Sequence, residues 1–266
     1  MSNAVSRVVV GLIGLPIVLG VVYIGGWWVF ALAAIAAGIA LHEYWLLARP
    51  LAPLAPAGYI GAALALVGAE MGGVGWMIGG VLTTFLFAFA LKAISEARQA
   101  ATIAISGTVM GAMWIGAGLA FLILLRDLPV HGRVAALSVL LAVWAGDTFA
   151  YAGGRLVGRH RMAPRTSPGK TWEGFLFGTL ATVFVAFVSL HYQKHGYYLT
   201  IGQSLIVGLV ISIAAPVGDL FESLLKRDMN LKDTGTVLGG HGGMLDRIDA
   251  LLFAAPAVYF TILAFT

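Results

Sequence analysis

Apolar residues fall in long uninterrupted blocks, at roughly residues 8–25, 27–48, 56–70, 72–91, 101–125, 134–153, 174–193, 200–225 and 249–265. Most approach the ~20 apolar residues that a helix needs to cross a bilayer. The blocks are rich in Leu, Ala and Val and lack the period-two alternation of barrel strands. Lipid offers backbone groups no partner, so spanning segments of this kind are helices. The pattern predicts an all-α polytopic bundle of about nine spans, with residues 1–266 forming one integral membrane domain. Its weakest boundary is Gly72-Gly73, where eight or ten spans become alternatives. Arg7 precedes a long apolar run with no small-residue cleavage site after it, which reads as a retained first span and not a removed signal.

Composition narrows the class further. Of the 266 residues 60% are apolar and only 11% charged, and mean hydropathy is +0.93. A soluble domain is nearer a quarter charged, so a water-soluble globular fold is excluded. The absence of cysteine removes disulfides, thiolate metal sites and cysteine nucleophiles. With 16 basic against 12 acidic side chains, the excess bears on topology and anionic ligands rather than nucleic acid. Nine spans collect Arg7, Arg49, Lys92, Arg98, Arg155, Arg159, Arg161, Arg165, Lys170, Lys226, Arg227, Lys232 and Arg247 on the side of the N-terminus. Arg126, Arg133 and Lys194 remain on the other. The positive-inside rule then makes the N-terminal side cytoplasmic.

Charge is also concentrated along the chain. Residues 147–173 and 219–249 hold 17 of the 28 charged side chains, so residues 1–133 read mainly as scaffold and 134–266 as the part carrying chemistry. Ionised groups inside a membrane are costly and are functional candidates by default. Asp147 and Asp219 both sit in apolar sequence, and Pro216 just before Asp219 is expected to bend its helix. Asp219, Glu222, Ser223 and Lys226 share one helical face. Asp246 and Asp249 share another after the glycine-dense stretch Leu238–Gly243. Carboxylates without thiols suit a hard cation such as Mg²⁺, while Lys226, Arg227, Lys232 and Arg247 suit phosphate oxygens. Taken singly, Asp228, Lys232 and Asp233 read equally as ordinary loop residues, and His241 alone reads more readily as a loop histidine than as a ligand or base.

The segment from Ala145 to Gly174 places five basic residues among Gly and Pro, a basic loop whose charges partly serve topology and lipid headgroups. Gly169-Lys170-Thr171 is no P-loop, because Pro164 stands where its first glycine belongs. His42-Glu43 is no zinc-protease motif, because Leu46 replaces the second histidine; Glu43 reads instead as a structural or helix-pairing carboxylate. Small-residue spacing such as GLIGLPIVLG (residues 11–20) predicts close helix packing. Trp27, Trp28, Trp76, Trp114 and Trp172 are expected mostly at span ends.

The run from Ser223 to Asp249 closely resembles the signature of the phosphatidate cytidylyltransferases, or CDP-diacylglycerol synthases. Ser223, Lys226, Arg227, Lys232, Asp233, His241, Gly242, Gly243, Asp246, Arg247 and Asp249 meet it. The resemblance extends to Asp147 and to Ser167, Pro168, Lys170, Thr171, Glu173 and Gly174. Gly239 departs from it where many members carry proline. The resemblance implies transfer of CMP from CTP to phosphatidic acid with Mg²⁺, and room for a second metal ion. It implies Asp219, Asp246 and Asp249 as metal carboxylates, with Asp249 alternatively orienting Arg247. Asp219, Lys226, Arg227, Asp246, Arg247 and Asp249 are the expected catalytic group. Asp147, Ser167, Lys170, Thr171, Glu173, Ser223, Lys232, Asp233, His241, Gly242 and Gly243 are the expected substrate contacts, His241 as phosphate contact or loop organiser rather than base. A prokaryotic inner membrane with the site on its cytoplasmic face follows by the same resemblance, and a homo-oligomer is compatible with it. The competing readings are CTP-dependent cytidylylation or phosphorylation of another membrane lipid, and an ion-coupled transporter. The transporter predicts charges dispersed at the midplane and internal symmetry, neither of which the sequence displays.

Overall fold

The computed structural model describes residues 3–95, 100–192, 198–229 and 243–265, with side chains of the first helix described from residue 14 onward. Among the described residues the chain is all-α apart from one small hairpin. In order come α1 (Asn3–Ile24), α2 (Trp27–Leu47), α3 (Ala55–Ala93), α4 (Ala101–Gly111), a π-helical segment (Ala112–Ala117) and α5 (Gly118–Arg126). Then follow α6 (Gly132–Val157), β1 (Arg161–Ala163), β2 (Ser167–Thr171), α7 (Trp172–His191), α8 (Ile201–Asp228) and α9 (Leu245–Leu263). Among the described residues six stretches have the length and hydropathy of a membrane span: α2, α3, the continuous Ala101–Arg126, α6, α7 and α8. The molecule divides into two compact units. One comprises residues 1–127 and 228–248, the other 128–227 and 249–266.

In the first unit α3 is 39 residues long. At ~1.5 Å per residue a straight helix of that length is about twice the ~30 Å hydrocarbon core. Gly73, at φ 71°, ψ −158°, breaks it into two arms. Glycine serves there because this backbone conformation is strained for any residue with a Cβ. The arms fold back on one another: a Cβ at Gly68 would meet the Trp76 and Met77 backbone, and one at Gly80 would meet that of Leu64 and Ala65. The Gly72-Gly73 boundary in the hydropathy pattern is therefore a reversal between antiparallel arms.

The Ala101–Arg126 stretch is the centre of this unit, with 83% of its most apolar window buried. The Tyr44 hydroxyl donates to the Gly107 carbonyl at 2.8 Å, and the Thr108 hydroxyl accepts from Leu54 N–H at 2.8 Å. Trp114, expected at a span end, is instead buried within the π-helical segment and packs edge-on against Tyr44. The other four named tryptophans are exposed. Close packing also lies elsewhere than GLIGLPIVLG suggests, since a Cβ added at Gly14 or Gly20 would meet nothing within 4 Å. Arg126 closes the C-terminal end of α1. Its Nε donates to Val22 O at 2.8 Å and its Nη2 to Tyr23 and Ile24 O at 3.3 and 3.2 Å. Cations are favoured at that end of a helix dipole.

The second unit is organised by small residues on facing helices. A Cβ at Gly178 of α7 would lie 2.9 Å from both the Ala150 Cβ and the Gly146 carbonyl of α6, and Thr182 Oγ1 donates to Ala142 O at 3.2 Å. Gly208 lets α8 approach Val183 of α7, and Gly218 lets it approach the Asp249–Ala250 backbone of α9. Such small-residue contacts suit helices that pack without a hydrophobic driving force between them. The helix α8 continues through Pro216 as a single assigned element.

Overpacking a close contact of this kind costs about 1–3 kcal/mol. Gly178→Val is therefore expected to lower the thermal unfolding midpoint in detergent by several degrees. Gly79→Val, where the added Cβ meets open space, should leave it near the wild-type value. Equal midpoints for the two variants would refute the close α6–α7 packing.

Candidate active site

The basic segment forms a β-hairpin rather than an irregular loop. Its strands pair antiparallel, with Arg161 opposite Thr171 and Ala163 opposite Ser167, around the turn Pro164-Arg165-Thr166. Arg161 Nη1 donates to the Pro168 carbonyl at 2.6 Å, and Trp172 N–H to His160 O at 3.0 Å. Thr171 ends β2 and caps α7, its Oγ1 accepting Gly174 N–H at 3.1 Å. This is the ordinary use of threonine at a helix start. Glu173 in the first turn reaches back to the segment before β1. Its carboxylate accepts N–H from Arg159 and His160 at 3.1 and 3.2 Å and lies 2.6 Å from His160 Nδ1. Glu173 thus holds the base of the hairpin, and His160 is a partner no sequence signal indicated.

The hairpin delivers Lys170 to α8. Lys170 Nζ stands 2.8 Å from Asp219 Oδ2 and 3.3 Å from the Pro216 carbonyl. Asp219 Oδ1 accepts the Ser223 hydroxyl at 3.3 Å, one helical turn on. Arg227 Nε donates back to the hairpin at Thr166 O, 3.3 Å. The opposite charges of hairpin and helix thus hold one another.

Three helices of this unit contribute carboxylates. Asp147 of α6 lies within electrostatic reach of Asp219 and Lys170. Asp249 of α9 lies within electrostatic reach of Asp219 and Asp147 and near Glu222 of α8. Asp249 also accepts the Ala250 amide at 2.7 Å. Glu222 is buried, with Lys226 Nζ 3.4 Å from its Oε1. The sequence placed Glu222 on the face of Asp219 and Lys226, but its nearness to Asp249 depends on how α8 meets α9. Asp147, Lys170, Asp219, Ser223, Lys226 and Asp249 are therefore gathered in one unit, with Arg227 bound to the hairpin at their edge. A small cavity of about 30 Å³ beside Asp147, lined also by Gly178, Ser212 and Pro216, has room for water only.

In the first unit, Asp246 and Arg247 open α9. Asp246 Oδ2 accepts the Gly243 amide at 2.8 Å, a carboxylate serving the positive end of its own helix. Lys232, Asp233, His241 and Gly242 lie outside the described residues. Ser167 and Thr171 belong to β2.

Among the described residues no three His, Asp or Glu side chains are arranged to hold one metal ion. The donor set is nonetheless all oxygen, and Mg²⁺ is usually held by one or two carboxylates completed by substrate phosphates and water. Paired carboxylates bordered by Lys170, Lys226 and Arg227 fit that mode better than a closed protein cage.

The chain is similar to known proteins along almost its whole length. The model of the cytidylyltransferase family matches residues 5–265. The chain is 30% identical to a phosphatidate cytidylyltransferase of Synechocystis sp. over 96% of its own length and 95% of that relative. It is 41% identical to one of Haemophilus influenzae, over 48% of this chain and 45% of that relative. It is 42% identical to one of Helicobacter pylori, over 53% and 52%. The last two alignments thus span about half the length of the relatives they match. The near-complete family match and the full-length likeness place the sequence: the chain belongs to the cytidylyltransferase family, among the phosphatidate cytidylyltransferases.

Proposed function

We propose that this protein transfers CMP from CTP to phosphatidic acid in the membrane, forming CDP-diacylglycerol and releasing pyrophosphate. The observation that carries the reading is the Lys170–Asp219 ion pair at 2.8 Å. It joins a cationic hairpin suited to phosphates with a carboxylate-bearing helix suited to a divalent cation. In the reaction a phosphatidate oxygen bonds to the α-phosphorus of CTP while the bond to the β-phosphate oxygen breaks. The attacking phosphate is already anionic at neutral pH, so no dedicated base is needed. Such transfers depend on positioning and charge neutralisation rather than covalent help from the protein. Lys170, Lys226, Arg227 and Arg247 would offset the charge of two anionic substrates, and Asp147 and Ser223 would help set the arrangement of Lys170 and Asp219. Asp219, Asp246 and Asp249 are the carboxylates we assign to Mg²⁺, with a second ion accommodated by the substrate phosphates. Bound there, Mg²⁺ would polarise the phosphate oxygens and stabilise the leaving pyrophosphate.

The same proposal carries a topology of nine spans, with the two arms of α3 counted separately and the N-terminus cytoplasmic. The hairpin and the signature would then face the cytoplasm, where soluble CTP meets a lipid fixed in the leaflet.

Three outcomes are expected. With purified protein, Mg²⁺ and phosphatidate, label from α-labelled CTP should enter the lipid, and label from γ-labelled CTP should leave as pyrophosphate. Lipid labelled only from the γ position would replace this reading with a kinase. Asp246→Asn should remain folded in detergent yet lose about 10²–10³-fold in turnover; undiminished turnover would remove Asp246 from the metal site. Because the chain has no cysteine, Arg165→Cys and Val130→Cys report orientation directly. An impermeant thiol reagent added outside intact cells should label position 130 and spare position 165, and the reverse pattern would invert the topology.

A further inference from the structure

Among the described residues the local cap of α9 is Asp246, on the Gly243 amide. Residue 244, just before Leu245, is methionine, which has no oxygen to accept the orphan amides of a first turn. Those amides are taken from far away in sequence. Glu43, near the end of α2, is fully buried at 0% exposure. Its Oε1 accepts Met244 N–H at 2.9 Å and its Oε2 accepts Leu245 N–H at 2.8 Å. Asp246 takes the preceding amide, that of Gly243, so three successive N–H groups end on carboxylates. Among the described residues no Lys, Arg or His pairs with Glu43. Its charge is held by two amides and by the positive end of the helix.

We infer that Glu43 is a positioning residue for the transfer reaction: its two-oxygen clamp on the Met244 and Leu245 amides sets where Asp246 stands. The inference rests on the proposed function of the α9 signature. The geometry demands a carboxylate. Glutamine keeps one acceptor oxygen but turns an NH₂ group toward the second amide, donor against donor. Neither substrate nor metal need touch Glu43. It acts through a backbone that adjoins Asp246 directly, and small displacements of a ligand or its support can cost orders of magnitude in rate.

The test compares Glu43→Gln, Glu43→Asp and Tyr44→Phe with the wild type in detergent. Tyr44→Phe removes a neighbouring buried hydrogen bond, to Gly107 O, and serves as a control for general loosening of α2. Hydrogen exchange by mass spectrometry should show faster exchange in the peptide covering residues 243–250 of Glu43→Gln, with α6 and α7 peptides unchanged. Turnover at saturating substrates should fall about 10–100-fold. The Mg²⁺ concentration for half-maximal rate should rise, while KM for CTP changes little. Glu43→Asp, which keeps the charge but is one methylene shorter, should lie between. Tyr44→Phe should lower the unfolding midpoint without moving the Mg²⁺ dependence. Lost protection with wild-type turnover and Mg²⁺ dependence would make the clamp structural only and overturn the inference. So would unchanged protection, or failure of both Glu43 variants to fold. The exchange result does not depend on activity, so a wild type inactive with CTP would sink the proposed function separately from the clamp.

Discussion

A helix end and a carboxylate share one problem in an apolar medium, because neither an unpaired amide nor an unpaired charge has water to turn to. Much of this structure answers that constraint with charged side chains reaching over long sequence separations. Arg126 covers the final carbonyls of α1. Glu43 covers the first amides of α9. Glu173 and Thr171 secure the start of α7 and, with it, the hairpin. Charges that look scarce in the composition are therefore placed where the backbone runs out of partners.

The candidate site extends the same logic to side chains. Carboxylates from α6, α8 and α9 lie within reach of one another, an arrangement that repels itself unless cations intervene. Lys170 and Lys226 supply part of the compensation. A divalent ion and the cationic hairpin would complete the set once phosphates arrive, which is why a cluster costly on its own suits a reaction between two anions. Small residues make the gathering feasible: Gly218 brings the α9 backbone at Asp249 against α8, and Gly178 brings α7 against α6.

Much of this is legible along the chain, for identifiable reasons. The helical blocks are readable because apolar length is a local property, and even the weak boundary at Gly72-Gly73 proves to be a chain reversal. The signature from Ser223 to Asp249 is readable because fixed spacing survives without knowledge of packing. Trp114 misleads because a tryptophan in an apolar run looks the same whether it faces an interface or a core. The basic segment reads as a loop because the pairing of Arg161 with Thr171 depends on a turn that composition alone does not specify. His160 carries no signal, since its role arises only when Glu173 folds back upon it.

The sequence by itself determined the membrane class, the helical architecture and the family, since burial length, residue chemistry and motif spacing are written along the chain. Only the tertiary structure decided which charges meet. Lys170 joins Asp219, Glu222 comes near Asp249, and Glu43 caps α9 through the Met244 amide, 201 residues later in the chain. Those pairings follow from the distances and directions at which helices pack, and helix packing is set by contacts between residues remote in sequence.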